Sequence, residues 1–538
     1  MKLYLVLVAC VGASAAAQPL LEGVPRVGGL SGGGPAETAV TGNCISLAER
    51  AAVAEHIAAY HAAHPEGAPG PYSGRTPAPS YEFYPIGGNW FADDFLNNFV
   101  DLNPGSGSIL DWDCTNYTYD GHQGHDNSLR GWGEKRIGVP IFAALAGTVV
   151  DRRDGEPDEN TTGPNVPANY VVLWHGGQLY TYYWHMKTGS VAVTTGHVVQ
   201  PGQQLGLVAS SGFSTGPHLH FETNIDGTTF EPFAGPCRAG LSGWASQQAI
   251  DRTFKVRDCG FTPTNLANIT ATDVIPRTGQ LAFSERPHWF WIMANSMPAN
   301  STWRVRYFRP NGVQEFDSGV NSFGGNPYYP SSWWYWWYTI PNMGSIPGTW
   351  RLRLDINGTT AVEAPVEVRA TRDPSFNRPP AALNGLSFDP PVPSPGHALF
   401  CRLSTSLTLD DPDYDIVRYT YVWTVNGTEV RRVTSAGHAD AIAANLVTPG
   451  AVIRCTVMPS DGIANGPTSS RTGTAPVPCD PDYNQDGNAD QDDIAYLVNV
   501  IAGGPNPTGI DPDFSRDGNV DQDDIAALIN VIAGGGCP

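Results

Sequence analysis

The segment Gly216-Pro-His218-Leu-His220-Phe-Glu222 puts two imidazoles two residues apart, just after the turn-like Ser211-Gly-Phe-Ser-Thr. On a strand, side chains alternate between faces. His218 and His220 therefore share one face, while Leu219 and Phe221 turn to the core. Core packing leaves the nitrogens of two such rings without partners, and a divalent cation supplies one. Upstream, Tyr119-Asp-Gly-His122-Gln-Gly-His125-Asp126 offers an imidazole and a carboxylate four residues apart, both ligand types suited to zinc. Between the two segments, the aromatic run Tyr180-Thr-Tyr-Tyr-Trp-His185 ends in a further histidine. This chemistry suits metal-assisted hydrolysis with imidazoles left over for proton transfer.

The elements that must hold these residues are strands. Pro140-Ile-Phe-Ala-Ala, Tyr170-Val-Val-Leu-Trp, Gln178 to His185 and His218 to Glu222 are short apolar or alternating runs broken by glycine. The reading is a mainly β, multidomain chain. An export signal at 1–17 has Lys2, the apolar run Leu3 to Val11 and a small-residue cleavage site near Ala17. A leader at 18–80 opens with a flexible Gly/Ala/Pro-rich stretch at 18–43 and carries one helix at 44–64, and a β catalytic domain spans 81–259 (core 115–235). Two β-sandwich modules follow at 260–372 and 379–475, and a small helical tail at 479–538. No later run is long and apolar enough to span a bilayer, so the chain is expected to be secreted, extracellular or at the cell surface. With 31 Lys and Arg against 52 Asp and Glu, the formal charge of −21 argues against nucleic-acid partners.

The motifs taken together resemble the lysostaphin-type zinc endopeptidases, the glycyl-glycine or cell-wall endopeptidase family. That family's H-x-G-x-D, aromatic strand ending in His, G-x-x-x-G-Q-x-hydrophobic-G and S-T-G-P-H-L-H-F-E read here as four segments. They are His122-Gln-Gly-His-Asp126, Tyr182-Tyr-Trp-His185, Gly196 to Gly206, and Ser214-Thr-Gly-Pro-His218-Leu-His220-Phe-Glu222. The resemblance implies an antiparallel β fold with a duplicated hybrid motif and a groove floored by one catalytic Zn2+. His122, Asp126 and His220 become the ligands, and His185 and His218 the catalytic pair. Three ligands leave an open position for the attacking water. The implied reaction is hydrolysis of peptide bonds in peptidoglycan cross-links by a zinc-activated water. His125 should face away from the ligands. Asn127 to Gly138, longer and more polar than is usual, is expected as a loop at the groove edge. The rival reading is a non-catalytic extracellular scaffold that recognises wall or glycan through a peptidase-like fold.

The tail is a duplication with an offset of 31 residues, and its twelve Asp against one Arg carry about half of the excess negative charge. Asp482, Asn484, Asp486, Asn488, Asp490 and Asp493 fall at the oxygen-ligand positions of an EF-hand loop, with Gly487 at the turn. Asp513, Ser515, Asp517, Asn519, Asp521 and Asp524 repeat the pattern around Gly518. With one helix per loop, the tail resembles dockerin modules. That resemblance implies two structural Ca2+ ions and a cohesin-like partner tethering the enzyme to an assembly or surface. Eight cysteines remain after the signal, an even number that suggests disulfides in an exported chain. Cys479 and Cys537 flank the tail and are candidates to clasp it. Cys401 and Cys455 flank Trp423 in the pattern of an immunoglobulin-like sandwich. For Cys44, Cys114, Cys237 and Cys259, three pairings are open. Residues 260–372 hold eight of the fifteen tryptophans, and Trp333 to Tyr338 is read mainly as packing, with a glycan-binding patch if a stripe is exposed.

Overall fold

The computed structural model describes residues 27–36, 44–65, 78–89, 95–160, 166–404, 410–477, 479–535 and 537. The expected export signal lies outside them. The fold is mainly β with few helices.

In the leader, β1 (Gly28–Pro35) and α1 (Leu47–Ala63) are ordered elements. The first departs from the expected flexible leader. β1 pairs antiparallel along Ser332 to Tyr338, the aromatic strand of the first sandwich. Glycine permits this: a Cβ on Gly33 would lie 2.3 Å from the Trp334 ring, at a φ of +145°. α1 starts at Ser46, whose hydroxyl accepts the Glu49 N–H. Pro65 follows its C-cap, and proline cannot continue a helix.

Residues 95–230 contribute β2 (Phe95–Asn98), β3 (His125–Ser128), α2 (Trp132–Ile137), β4 (Pro140–Phe142), β5 (Gly147–Arg153) and β6 (Tyr170–Trp174). They continue with β7 (Leu179–Trp184), β8 (Val198–Val199), β9 (Gln204–Leu207), β10 (His218–Ile225) and β11 (Thr228–Phe230). Eight of these strands form one antiparallel sheet, ordered β2-β3-β10-β7-β6-β5-β8, with β11 beside β10. One face packs Leu219, Phe221, Tyr183 and Leu173 into the main core. The other carries Tyr170, Val172, Tyr180 and Trp184, and α1 covers it with Val53, Ile57 and Tyr60. The polar 127–138 segment is not the expected groove-edge loop. It completes β3 and becomes α2, whose Gly133 abuts Val274 and Ile416.

The first sandwich stacks a four-stranded sheet (Gly28–Pro35, Tyr329–Tyr338, His288–Met297, Lys255–Thr262) on a six-stranded one. The Lys255–Thr262 strand crosses the expected boundary at 259/260, because its edge hydrogen bonds go to His288–Met297. Trp334, Trp336 and Tyr338 fill the core between the sheets, and Trp333, Tyr335 and Trp337 pack on the opposite face. Both stripes have packing partners, so the exposed aromatic stripe a glycan patch requires is not seen. In the second sandwich, Cys401 and Cys455 lie on facing sheets in one core. Their thiols are neighbours, and the structure draws no disulfide between them. Burial and the neighbouring Cys401 thiol push the Cys455 thiol far up, as for two thiols in apolar surroundings. The disulfides present are Cys114–Cys237 and Cys479–Cys537.

Candidate metal centre

The register of β10 builds the site. His220 stands opposite Asp126 of β3 on one side and Trp184 of β7 on the other, so His185, one residue past Trp184, arrives beside it. His122 comes in from the turn before β3, where its ring stacks on Tyr119 at 4.3 Å. Three donor atoms converge. His122 Nε2 and His220 Nδ1 are 3.2 Å apart, and Asp126 Oδ1 lies 3.1 Å from the first and 2.9 Å from the second. Cys44 Sγ is 3.5 Å from His220 Nδ1. One ligand atom from each of these four buried residues lies within 4.8 Å of the others.

Second partners fix the tautomers. His122 Nδ1 is 2.7 Å from the Phe99 carbonyl, to which it donates, leaving Nε2 as a lone pair aimed inward. His220 Nε2 faces Glu222 Oε2 at 3.6 Å, and Arg50 of α1 donates to both Glu222 oxygens at 3.1 and 2.8 Å. Gly124 is required by proximity, since a Cβ there would sit 2.5 Å from His220 Nε2.

His185 and His218 flank the centre with ring centroids 4.6 Å apart. His185 Nδ1 donates to the Ser211 carbonyl at 2.6 Å, and His218 Nδ1 to the Gly216 carbonyl at 2.9 Å. Their Nε2 atoms are buried without hydrogen-bond partners. His218 Nε2 lies 3.5 Å from Asp126 Oδ1. His185 adopts a left-handed φ of +62°, a strained backbone of the kind that clusters at functional sites. His125 points to the other face, 2.9 Å from Glu231, among Phe99, Phe233 and Trp244.

The electrostatics fit a cation. Burial alone would raise the Asp126 carboxyl, but the surrounding His122, His218 and His220 rings hold it well below the usual range. Burial, then His218 and His220, push His185 well down, so its ring is neutral. A tight triangle of one carboxylate and two imidazoles, with two orphaned imidazole nitrogens alongside, is a donor set that suits Zn2+. A cleft of about 700 Å³ opens between α1 and the sheet, lined among others by Arg50, Val53, Asp101, His122, Tyr182 and Glu222.

Among the described residues, the tail carboxylates do not draw together as this set does. The loops are closed by their own hydrogen bonds. Asp493 accepts the Asn484 and Asp490 N–H groups, Asp482 accepts those of Asp486 and Gly487, and Asp486 accepts that of Asn488. The second loop repeats this through Asp524, Asp513, Asp517 and Asp521, with Ser515 beside Asp524. Asp490 and Asp521 cap the two tail helices, Gln491–Ile501 and Gln522–Ile532. Sequence reading gave Cys44 and Arg50 no role at this centre and quoted Glu222 only as the end of the His218-Leu-His220-Phe-Glu222 motif. The trace of Cys44 was a cysteine with no assigned mate, just ahead of a helix.

Residues 130–232 match the profile of Peptidase family M23. That segment contains His185, His218 and His220 but begins after His122 and Asp126, which join the site through geometry. An uncharacterized metalloprotease of Haemophilus influenzae is 30% identical over 121 residues, 22% of this chain and 25% of that protein. The peptidoglycan DD-endopeptidase ShyA of Vibrio cholerae is 35% identical over 91 residues, 17% of this chain and 19% of that one. The chain thus spans a quarter or less of the length of these relatives. The catalytic domain of the antimicrobial peptidase lysostaphin from Staphylococcus simulans aligns at 23% identity, covering 25% of this chain and 85% of that one, with a TM-score of 0.17. Over residues 130–232, this chain carries an M23 peptidase domain.

Proposed function

We propose that the protein is a secreted zinc metalloendopeptidase that cuts peptide bonds in peptidoglycan cross-links. The observation that carries the reading is the triangle of His122 Nε2, Asp126 Oδ1 and His220 Nδ1, with sides of 2.9 to 3.2 Å, beside two unpartnered imidazole nitrogens. His122, Asp126 and His220 are the residues that would hold the metal. When bound, Zn2+ supplies a Lewis acid and makes water acidic enough to serve as nucleophile near neutral pH.

The remaining chemistry belongs to the chain. His185 and His218, oriented by the Ser211 and Gly216 carbonyls, present Nε2 atoms that accept a proton from the nucleophile and return it to the leaving amine. A protonated ring in the same place donates to the developing oxyanion. The Trp184 and Tyr182 side of the sheet provides a wall for an extended peptide. The peptidoglycan substrate is carried by analogy with the ShyA match.

The tail is proposed as a dockerin-like module that binds two Ca2+ ions and a cohesin-like partner. In its support, Asp513 Oδ1 and Ser515 Oγ are buried in the second loop without hydrogen-bond partners, and a cation would satisfy them.

The test is zinc stoichiometry by elemental analysis, together with digestion of purified sacculi and sequencing of the released peptides. One zinc per chain, lost in His122→Ala, and new amino termini in the cross-bridges are expected. Metal binding with intact sacculi, whatever is done to the leader, would return the chain to the scaffold reading.

A further inference from the structure

Among the described residues, Cys44 is the one thiol that stands at the candidate metal centre. We infer that it is a fourth metal ligand, supplied by the leader, which closes the coordination position the reaction needs and holds the full chain latent. This rests on the zinc reading above.

Cys44 Sγ is 3.5 Å from His220 Nδ1, and all four donors fall within 4.8 Å of one another. A tetrahedral ion with bonds of about 2.0 to 2.3 Å sets its donors roughly 3.3 to 3.8 Å apart; the 3.5 Å from Cys44 Sγ to His220 Nδ1 falls in that range, and the 2.9 to 3.2 Å sides of the His122, Asp126 and His220 triangle are slightly shorter. Sulfur, two imidazoles and a carboxylate make a complete set, and four protein ligands make a closed site, whereas catalytic zinc keeps one position open. Independent of the thiol, the buried Nε2 atoms of His185 and His218 stand at the same centre without hydrogen-bond partners. Cys44 is not in a disulfide, although the chain makes two elsewhere.

The leader is anchored on both sides of the cysteine. Before it, β1 lies on the aromatic strand. After it, α1 docks by Arg50 on Glu222, by Glu49 accepting the Ala168 N–H at 2.8 Å, and by His61 against the Tyr180 hydroxyl at 2.9 Å. Arg50 grips Glu222, the residue that faces His220, so the helix contact and the thiol contact converge on one ligand. The helix also packs on the sheet beside the cleft that His122 lines. Binding of the thiol forms a metal–sulfur bond, displaces one water and releases one proton to solvent, so no oxidant or reductant is required. Loss of that bond opens the position.

The experiment uses the full chain loaded with Co2+. The intact protein should show a sulfur-to-cobalt charge-transfer band, and Cys44→Ala and Cys44→Ser should keep the ligand-field bands but lose it. A thiol reagent should find Cys44 protected in the metal-loaded native chain and reactive after chelation. Cys44→Ala should digest sacculi faster than the parent by on the order of tenfold or more, as expected when an open state replaces a closed one. Cobalt bound with no charge-transfer band, or equal digestion by parent and both variants, overturns the assignment and leaves the zinc reading standing. Failure of parent and variants alike to bind metal overturns both.

Discussion

At the residue scale, the proposed division of labour among five side chains rests on which nitrogen each ring offers. His122 and His220 converge with Asp126 within hydrogen-bond range of one another, so they share whatever sits between them. His185 and His218 present orphaned Nε2 atoms beside them. Two classes of variant should therefore separate. In the Cys44→Ala background, His185→Ala or His218→Ala should keep a full complement of zinc and lose about 10²- to 10⁴-fold in cleavage, the usual share of a proton-transfer group. His122→Ala should lose both metal and cleavage. Zinc content and muropeptide release, measured on the same samples, check the split.

At the element scale, α1 and the first sandwich each carry a prediction. Arg50→Ala strips the cation from Glu222, a carboxylate that burial would raise but that Arg50 and His220 hold down. Leaving that charge buried and uncompensated costs on the order of 3 kcal/mol. The cost should fall on helix docking. Amide exchange across Leu47–Ala63 should accelerate while the sandwiches stay protected. In the sandwich, burial and then Arg286 push the His288 ring from an ordinary 6.5 down to about 3, with Nε2 on the Tyr307 hydroxyl. The folded state resists protonation more than the unfolded state does. Its stabilising contribution is thus complete above pH 6.5 and drains away as pH falls toward 3. The contribution is on the order of a few kcal/mol. His288→Gln, which does not titrate, should flatten the acid limb of the thermal unfolding profile.

At the scale of the whole molecule, the chain joins a metal centre, two sandwiches and an acidic duplicated tail, and the leader bridges the first two. Its glycine strand completes the edge of one sandwich and its helix covers a face of the eight-stranded sheet. The tail makes a separable claim. Each of its helices buries one aspartate, Asp493 or Asp524, against its own loop. If calcium holds these loops, chelation should lower the helical signal and the melting temperature of the tail transition. Added Ca2+ should restore both, and soluble-peptide cleavage in the Cys44→Ala background should not change. Calorimetry with and without chelator checks this.

What the sequence determined by itself was the chemistry that repeats at fixed spacing. The alternation of His218, Leu219, His220 and Phe221 sends rings and apolar groups to opposite faces, because a strand has a period of two. The same rule sets His125 against Asp126. The tail loops and their helices were legible for a similar reason: their hydrogen bonds are local, within a dozen residues. The tertiary structure alone decided what came together across long separations. Cys44 meets His220 over 176 residues, and Arg50 meets Glu222 over 172. No periodicity encodes such a pairing. A thiol is a disulfide half, a buried hydrophobe or a metal ligand according to what packs beside it, and that depends on a sheet whose strands are far apart in the chain. The glycine-rich leader likewise reads as a flexible coil until an aromatic strand offers it an edge.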